Sequence, residues 1–189
     1  MKNLNMMLRR PFLEEENGTA LVEFTLVLPI LVLLLAMAID FGAVLHTRFR
    51  LNASVSAGAN YALVHGGEAT PSGAPALARS IAALVADSQG PDWANASILI
   101  NDGPSAKRDA HGMSEEGNAD YVNDCYCLTG NPETPVWGSA VSCWEECPSG
   151  GYAGRFVLIE AHHGYTPVFS NYGVVSDGRL SVQAIVRIQ

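Results

Sequence analysis

The chain opens on a polar stretch, MKNLNMMLRRPFLEEENG, and then turns abruptly apolar. From Phe24 to Leu45 almost every residue is hydrophobic, and Asp40 interrupts the run. A helix of about 22 residues is about 33 Å long, enough to cross the hydrocarbon core of a bilayer. Past Asp40 the continuous run gives way to a helical period. Apolar residues recur at Val44, Leu45, Leu51, Val55, Ala59, Ala62 and Leu63, with small residues (Ala53, Ser54, Ala57, Gly58) crowded between them. The pattern predicts one long helix from Thr19 to about His65. Its first half is lipid-soluble, its second half is amphipathic, and Gly66-Gly67 stops it.

After a turn-rich linker, GEATPSGAP, the helical period returns. A second helix is expected from about Pro75 to Ser88, with Leu77, Ile81, Leu84 and Val85 on one face and Gly90-Pro91 at its end. The period then changes to two. Ala96 to Asn101 reads as a short strand closed by the turn signal Asn101-Asp102-Gly103. Arg155 to His162 and Arg179 to Gln189 read as further strands. In the last, Leu180, Val182, Ala184 and Val186 face one way, and Ser181, Gln183 and Arg187 mostly the other. The expected fold class is α+β: a long N-terminal helix packed on a small antiparallel sheet, with an irregular cysteine-bearing loop from Asn118 to Gly151.

Charge narrows the choice of partner. The 189 residues carry a formal net charge of −8, which argues against nucleic acid, whose binding needs a basic patch. Most of the excess acid lies between Asp87 and Glu146, against Lys107 and Arg108 alone, and reads as a solvated acidic loop.

The four cysteines, Cys125, Cys127, Cys143 and Cys147, are clustered late as C-x-C and C-x3-C. Only the second pair has zinc-like spacing. An even count in an extracytoplasmic domain favours two disulfides, with links between the pairs preferred because a C-x-C bridge is strained. His162 and His163 are neighbours on a strand and point to opposite faces, so they do not share a metal ion. Trp93, Trp137 and Trp144 could line a partner surface, but local core pieces beneath loops are the preferred reading. Asn118-Ala119-Asp120 and Asn123-Asp124 fall short of a calcium loop. No nucleophile elbow, phosphate loop, dinucleotide fingerprint or zincin motif occurs in the sequence. The expectation is a protein without catalytic, cofactor-binding or metal-binding residues.

One residue resists the membrane reading. Glu23 lies at the mouth of the apolar run, where a charge within a membrane helix costs about 2.5 kcal/mol or more. Three readings compete. The helix is an uncleaved anchor, or a secretory signal cut after Ala36-Met37-Ala38, or the retained part of a precursor cut between Gly18 and Thr19. The signal-peptide reading puts Glu14, Glu15 and Glu16 where basic residues belong and leaves Glu23 without a role. A cut after Gly18 gives it one. Thr19 would then carry a new α-amino group, and in a bundle of parallel helices Glu23 of one subunit would meet the Thr19 amine of the next. Breaking such a pair leaves a lone buried charge, at a cost of about 3–5 kcal/mol. Pro29 removes a helix hydrogen bond and predicts a kink between Thr25 and Pro29.

Gly18, Thr-Ala-Leu-Val, Glu23-Phe24 and the long apolar helix resemble the processing signal of type IV pilin-like proteins. The fuller string GTALVEFTLVLPILVLLLAMAIDFG, with Leu28-Pro29 and the Asp40-Phe41-Gly42 exit, resembles the TadE-like pseudopilins of the tight-adherence pilus system. The stretch from Phe156 to Ile188 adds to the likeness.

The resemblance implies a leader at residues 1–18 removed by a prepilin peptidase, a helix at 19–65 that spans the inner membrane at about 24–45, and an extracytoplasmic domain at 66–189. It implies possible N-methylation of Thr19 and a role for Glu23 and Phe24 in assembly. Implied partners are a second minor pseudopilin, the major pilin, the peptidase and the assembly platform. The rival expectation is an anchored or secreted extracytoplasmic binding module with no part in a pilus.

Overall fold

The computed structural model describes residues 16–131, 134–169 and 178–188. Residues 1–15, which hold most of the expected leader, and residues 132–133, 170–177 and 189 lie outside the described residues. The chain divides into two compact units, Met1–Gly42 and Ala43–Gln189.

In the first unit the described residues are helical throughout. They belong to α1, which runs Glu16–Val64 and continues on both sides of Pro29. Its apolar side chains are uncovered: Leu26 is 70% exposed and Ile39 is 72% exposed. Water would penalise so continuous an apolar surface, and a bilayer or other protein would not. The helix is long and apolar enough to cross a membrane. Pro29 has no N–H to offer the carbonyl of Thr25, four residues back. The Thr25 hydroxyl donates to the Val22 carbonyl at 2.8 Å.

In the second unit the remainder of α1 changes character. Val44, Leu51, Val55 and Ala62 are fully or almost fully buried, whereas Leu63 is 54% exposed. The expected stripe is therefore real but narrower by Leu63. A single 3-10 turn, Gly66–Glu68, follows where the two glycines stop the helix. Helix α2, Ala74–Ala86, begins with a proline in its first turn. It buries Leu77, Ile81 and Val85 as expected, and Leu84 instead faces outward.

Nine strands follow among the described residues. They are β1 Asn95–Ile100, β2 Ser105–Asp109, β3 Gly112–Glu116, β4 Cys125–Tyr126, β5 Thr129–Asn131, β6 Thr134–Val136, β7 Ala140–Val141, β8 Phe156–Gly164 and β9 Arg179–Arg187. Five form one antiparallel sheet in the order β3-β2-β1-β8-β9. Its register places Ala106, Ile98, Ile159 and Ala184 side by side. These residues belong to the hydrophobic core that also takes in α2 and the buried stripe of α1. Leu180 and Val186 are buried and Val182 and Ala184 pack against the core, so the alternation read from β9 holds.

Gly58 sits where α1, α2 and β8 converge. A Cβ there would lie 2.6 Å from Val85 Cγ2 and 3.3 Å from Ile81 Cγ2. Only the absence of a side chain allows this approach.

The region Asp87 to Glu146 is not the solvated acidic loop its charge suggests. It holds β1, the β2–β3 hairpin and two short ladders, β4–β7 and β5–β6. The hairpin carries one fully buried side chain, Ala106, so its composition hid it. Asn101 also leaves the strand assigned to it. Asn101 and Asp102 have φ of 51° and 56°, and Gly103 N–H donates to the Ile100 carbonyl at 2.9 Å. Two successive positive φ values mark the tight primed turn that favours hairpins.

Candidate functional site

Two regions contain most of the residues that sequence reasoning singled out. The first is the start of α1. Gly18, Thr19, Glu23 and Phe24 lie within its first turns, and Thr19 and Glu23 are four residues apart on one helical face. Glu23 is exposed, and Phe24 is 57% exposed. Asp40, the second acid of the apolar run, is only 4% exposed.

The second region is a knob on the sheet domain, built from residues 118–155. Disulfides join Cys125 to Cys143 and Cys127 to Cys147. Both link one pair to the other, the preferred arrangement. Cys125, Cys147 and Ala153 form a small core of their own, with Cys127 and Val141 packed against it. The bridges therefore do here what apolar side chains do in the main core. The segment expected to be irregular also has backbone order. Gly154 and Tyr126 exchange backbone hydrogen bonds at 3.2 and 2.9 Å, and Glu146 pairs with Tyr152.

Asn101 fixes the knob to the sheet. It is fully buried, and the two N–H groups of its Nδ2 are shared among the carbonyls of Tyr121, Val122 and Asp124 at 2.8, 3.0 and 2.6 Å. Its Oδ1 accepts from the Phe156 N–H at 3.3 Å. Sequence reasoning took Asn101 for a turn residue and missed this role. The available signal was an amide side chain at the buried end of a strand. Burial of the neighbouring Tyr126 raises its hydroxyl pKa above the usual tyrosine value, and Asp124 adds to the effect. Burial lowers the pKa of Arg155, whose guanidinium donates to the Ala69 carbonyl at 3.0 Å.

The histidines separate as their spacing requires. His163 stacks on Trp93 with ring centroids 4.7 Å apart, and its Nδ1 lies 2.6 Å from the Trp93 carbonyl. Arg50 of α1 reaches over the same indole at 5.5 Å and donates to Gln89 Oε1. His162 turns the other way. Its Nδ1 lies 3.8 Å from Glu160 Oε1 and 3.4 Å from Ser181 Oγ. Both contacts fall on one nitrogen, so no relay runs from the acid through the ring to the hydroxyl.

The tryptophans divide. Trp93 packs against the main core and Trp137 meets the edge of the Tyr126 ring at 5.5 Å. Trp144 does not fit the expectation of a buried piece. It is 62% exposed, with φ of 70°.

The family model described as TadE-like protein matches residues 18–60. No curated protein and no solved structure matches the chain. The matched segment contains Gly18, Thr19, Glu23, Phe24 and Pro29, and it reaches Gly58 at the packing junction.

Proposed function

We propose, from the TadE-like character of residues 18–60, that this chain is a minor pilin-like subunit of a tight-adherence pilus. The family and the uncovered apolar helix fit a single-pass membrane protein associated with that machinery. The finer reading rests on Gly18 and Glu23 at the entrance of α1. A prepilin peptidase cuts between Gly18 and Thr19, and the sheet domain lies outside the inner membrane. Glu23 then pairs with the Thr19 amine of a neighbouring subunit, and Phe24 packs beside it. The pair fixes the axial register of adjacent helices, because any other register leaves a carboxylate and an ammonium apart in an apolar medium. Pro29 acts as a flexible joint near the membrane entrance.

Helical structure across the cut site is consistent with this reading. Gly18 lies in the first turn of α1, where backbone N–H groups have no acceptor within the helix. The scissile bond is thus placed where local unwinding is least costly. The partners are the peptidase, a second minor pseudopilin, the major pilin and the assembly platform.

N-terminal sequencing and intact mass of the membrane-bound protein test the reading. The expected chain starts at Thr19 and carries two disulfides. A start at Ile39, an intact Met1, or a soluble product would overturn it. Replacing Glu23 by alanine should leave membrane insertion unchanged and impair pilus assembly. Normal piliation in that variant would remove the register role.

A further inference from the structure

The knob lies outside the segment on which the pilus reading rests, and its surface has a separate use. We propose that it is a docking surface for a basic polypeptide segment, with Trp144 as the anchor.

The starting point is the backbone. Trp144 N–H donates to the Ala153 carbonyl at 3.2 Å, and Ala153 N–H donates to the Glu145 carbonyl at 2.8 Å. Trp144 and Glu145 together thus oppose a single residue, Ala153. With φ of 70° at Trp144, this is the bulge whose first position glycine ordinarily fills. A bulky side chain is unfavourable there. Cys143, directly before it, is held by its bridge to Cys125. A large ring is therefore fixed on a rigid loop at a position that folding alone would give to glycine.

The ring is also supported. The Arg187 guanidinium lies 4.8 Å from the centroid of Trp144 and donates to the Ala153 carbonyl at 3.1 Å. Even so, 62% of Trp144 is exposed, and 57% of Tyr152 is exposed. Aromatic side chains held rigidly in the open are the usual anchors of protein interfaces, because little freedom is lost when they bind.

Charge identifies the partner. The described residues of 118–154 include Asp120, Asp124, Glu145 and Glu146 and no Lys, Arg or His, and Arg187 of β9 is the cation already set over the anchor ring. Glu145 and Glu146 directly follow the anchor. A Lys- or Arg-rich segment meets both features. Its charged heads face the carboxylates, and its aliphatic stems or guanidinium planes lie on the aromatic rings.

The test titrates the purified full-length protein in detergent micelles with poly-L-lysine and, separately, with cello-oligosaccharides. The expected result is saturable, salt-sensitive binding of poly-L-lysine. Trp144→Gly should weaken it roughly tenfold or more. This variant removes the ring while relaxing the backbone, so its thermal midpoint should not fall. Glu145→Gln with Glu146→Gln should weaken binding several-fold, whereas Glu115→Gln with Glu116→Gln, which removes equal charge from β3, should not. No binding, unchanged affinity in Trp144→Gly, or equal losses in the two glutamine pairs would overturn the proposal. So would Trp144-dependent binding that goes to the oligosaccharide and ignores salt. Each of these outcomes leaves the processing of Gly18 as it stands.

Discussion

Replacing Gly58 with alanine sets two known effects against each other at one position. In an exposed helix the change stabilises by about 1 kcal/mol, since glycine has the greater backbone entropy to lose. Gly58 is buried, and the new methyl would lie 2.6 Å from Val85 Cγ2, 3.3 Å from Ile81 Cγ2 and 3.7 Å from Ile159 Cδ1. Both close neighbours are β-branched and stiff at χ1, and both are fully buried, so neither can turn aside. Overpacking of this kind costs about 1–3 kcal/mol. The balance is a net loss of about 1 kcal/mol for Gly58→Ala and a larger loss for Gly58→Leu.

Urea unfolding of the intact chain in mild detergent, followed by circular dichroism, measures this change. Val85→Ala alone should destabilise by opening a cavity. Combined with Gly58→Ala it should cost less than the two changes added, because the new methyl fills the space that Val85 vacates. The coupling expected of residues in contact is about 0.5–3 kcal/mol. A Gly58→Ala chain more stable than wild type, with simple additivity in the double variant, would show that α1 does not approach α2 this closely.

Two further outcomes follow from the knob. Asn101→Ala removes the donor for three carbonyls and the acceptor for the Phe156 N–H, so stability should fall by about 2–4 kcal/mol, read from the urea midpoint. Reduction of both disulfides removes links that close loops of sequence separation 18 and 20, each contributing about 3 kcal/mol in the chain-entropy account. Hydrogen exchange by mass spectrometry should then show residues 125–154 losing protection while β1 and β8 keep theirs.

The parts of the fold with strong periodicity were legible in the sequence. The long helix was expected to end at His65 and ends at Val64. The strand expected from Arg155 to His162 spans Phe156–Gly164, and the one expected from Arg179 to Gln189 spans Arg179–Arg187. In these segments the apolar alternation is carried by Val157, Ile159, Leu180 and Val186, which the core needs. The β2–β3 hairpin was not legible, because Lys107, Arg108, Glu115 and Glu116 dominate two strands that bury little. Cysteine spacing led to a preference for links between the two pairs, and both bridges are of that kind. It said nothing of Asn101, whose hydrogen bonds reach from 20 to 55 residues along the chain. Trp144 was misread for a related reason. A tryptophan normally goes where area can be buried, and only the backbone shows that this one is held outward.

The order of the strands has a consequence for variation. The centre of the sheet joins β1 to β8, so residues 117–155 leave the sheet at β3 and return at its middle. The segment carries its own covalent closure and contributes Val122 and part of Ala119 to the main core. Substitution on its outer surface can therefore alter what the molecule touches without rewriting the scaffold beneath. A lineage under pressure to change contacts has, in this excursion, somewhere to do so at small risk to the rest of the chain.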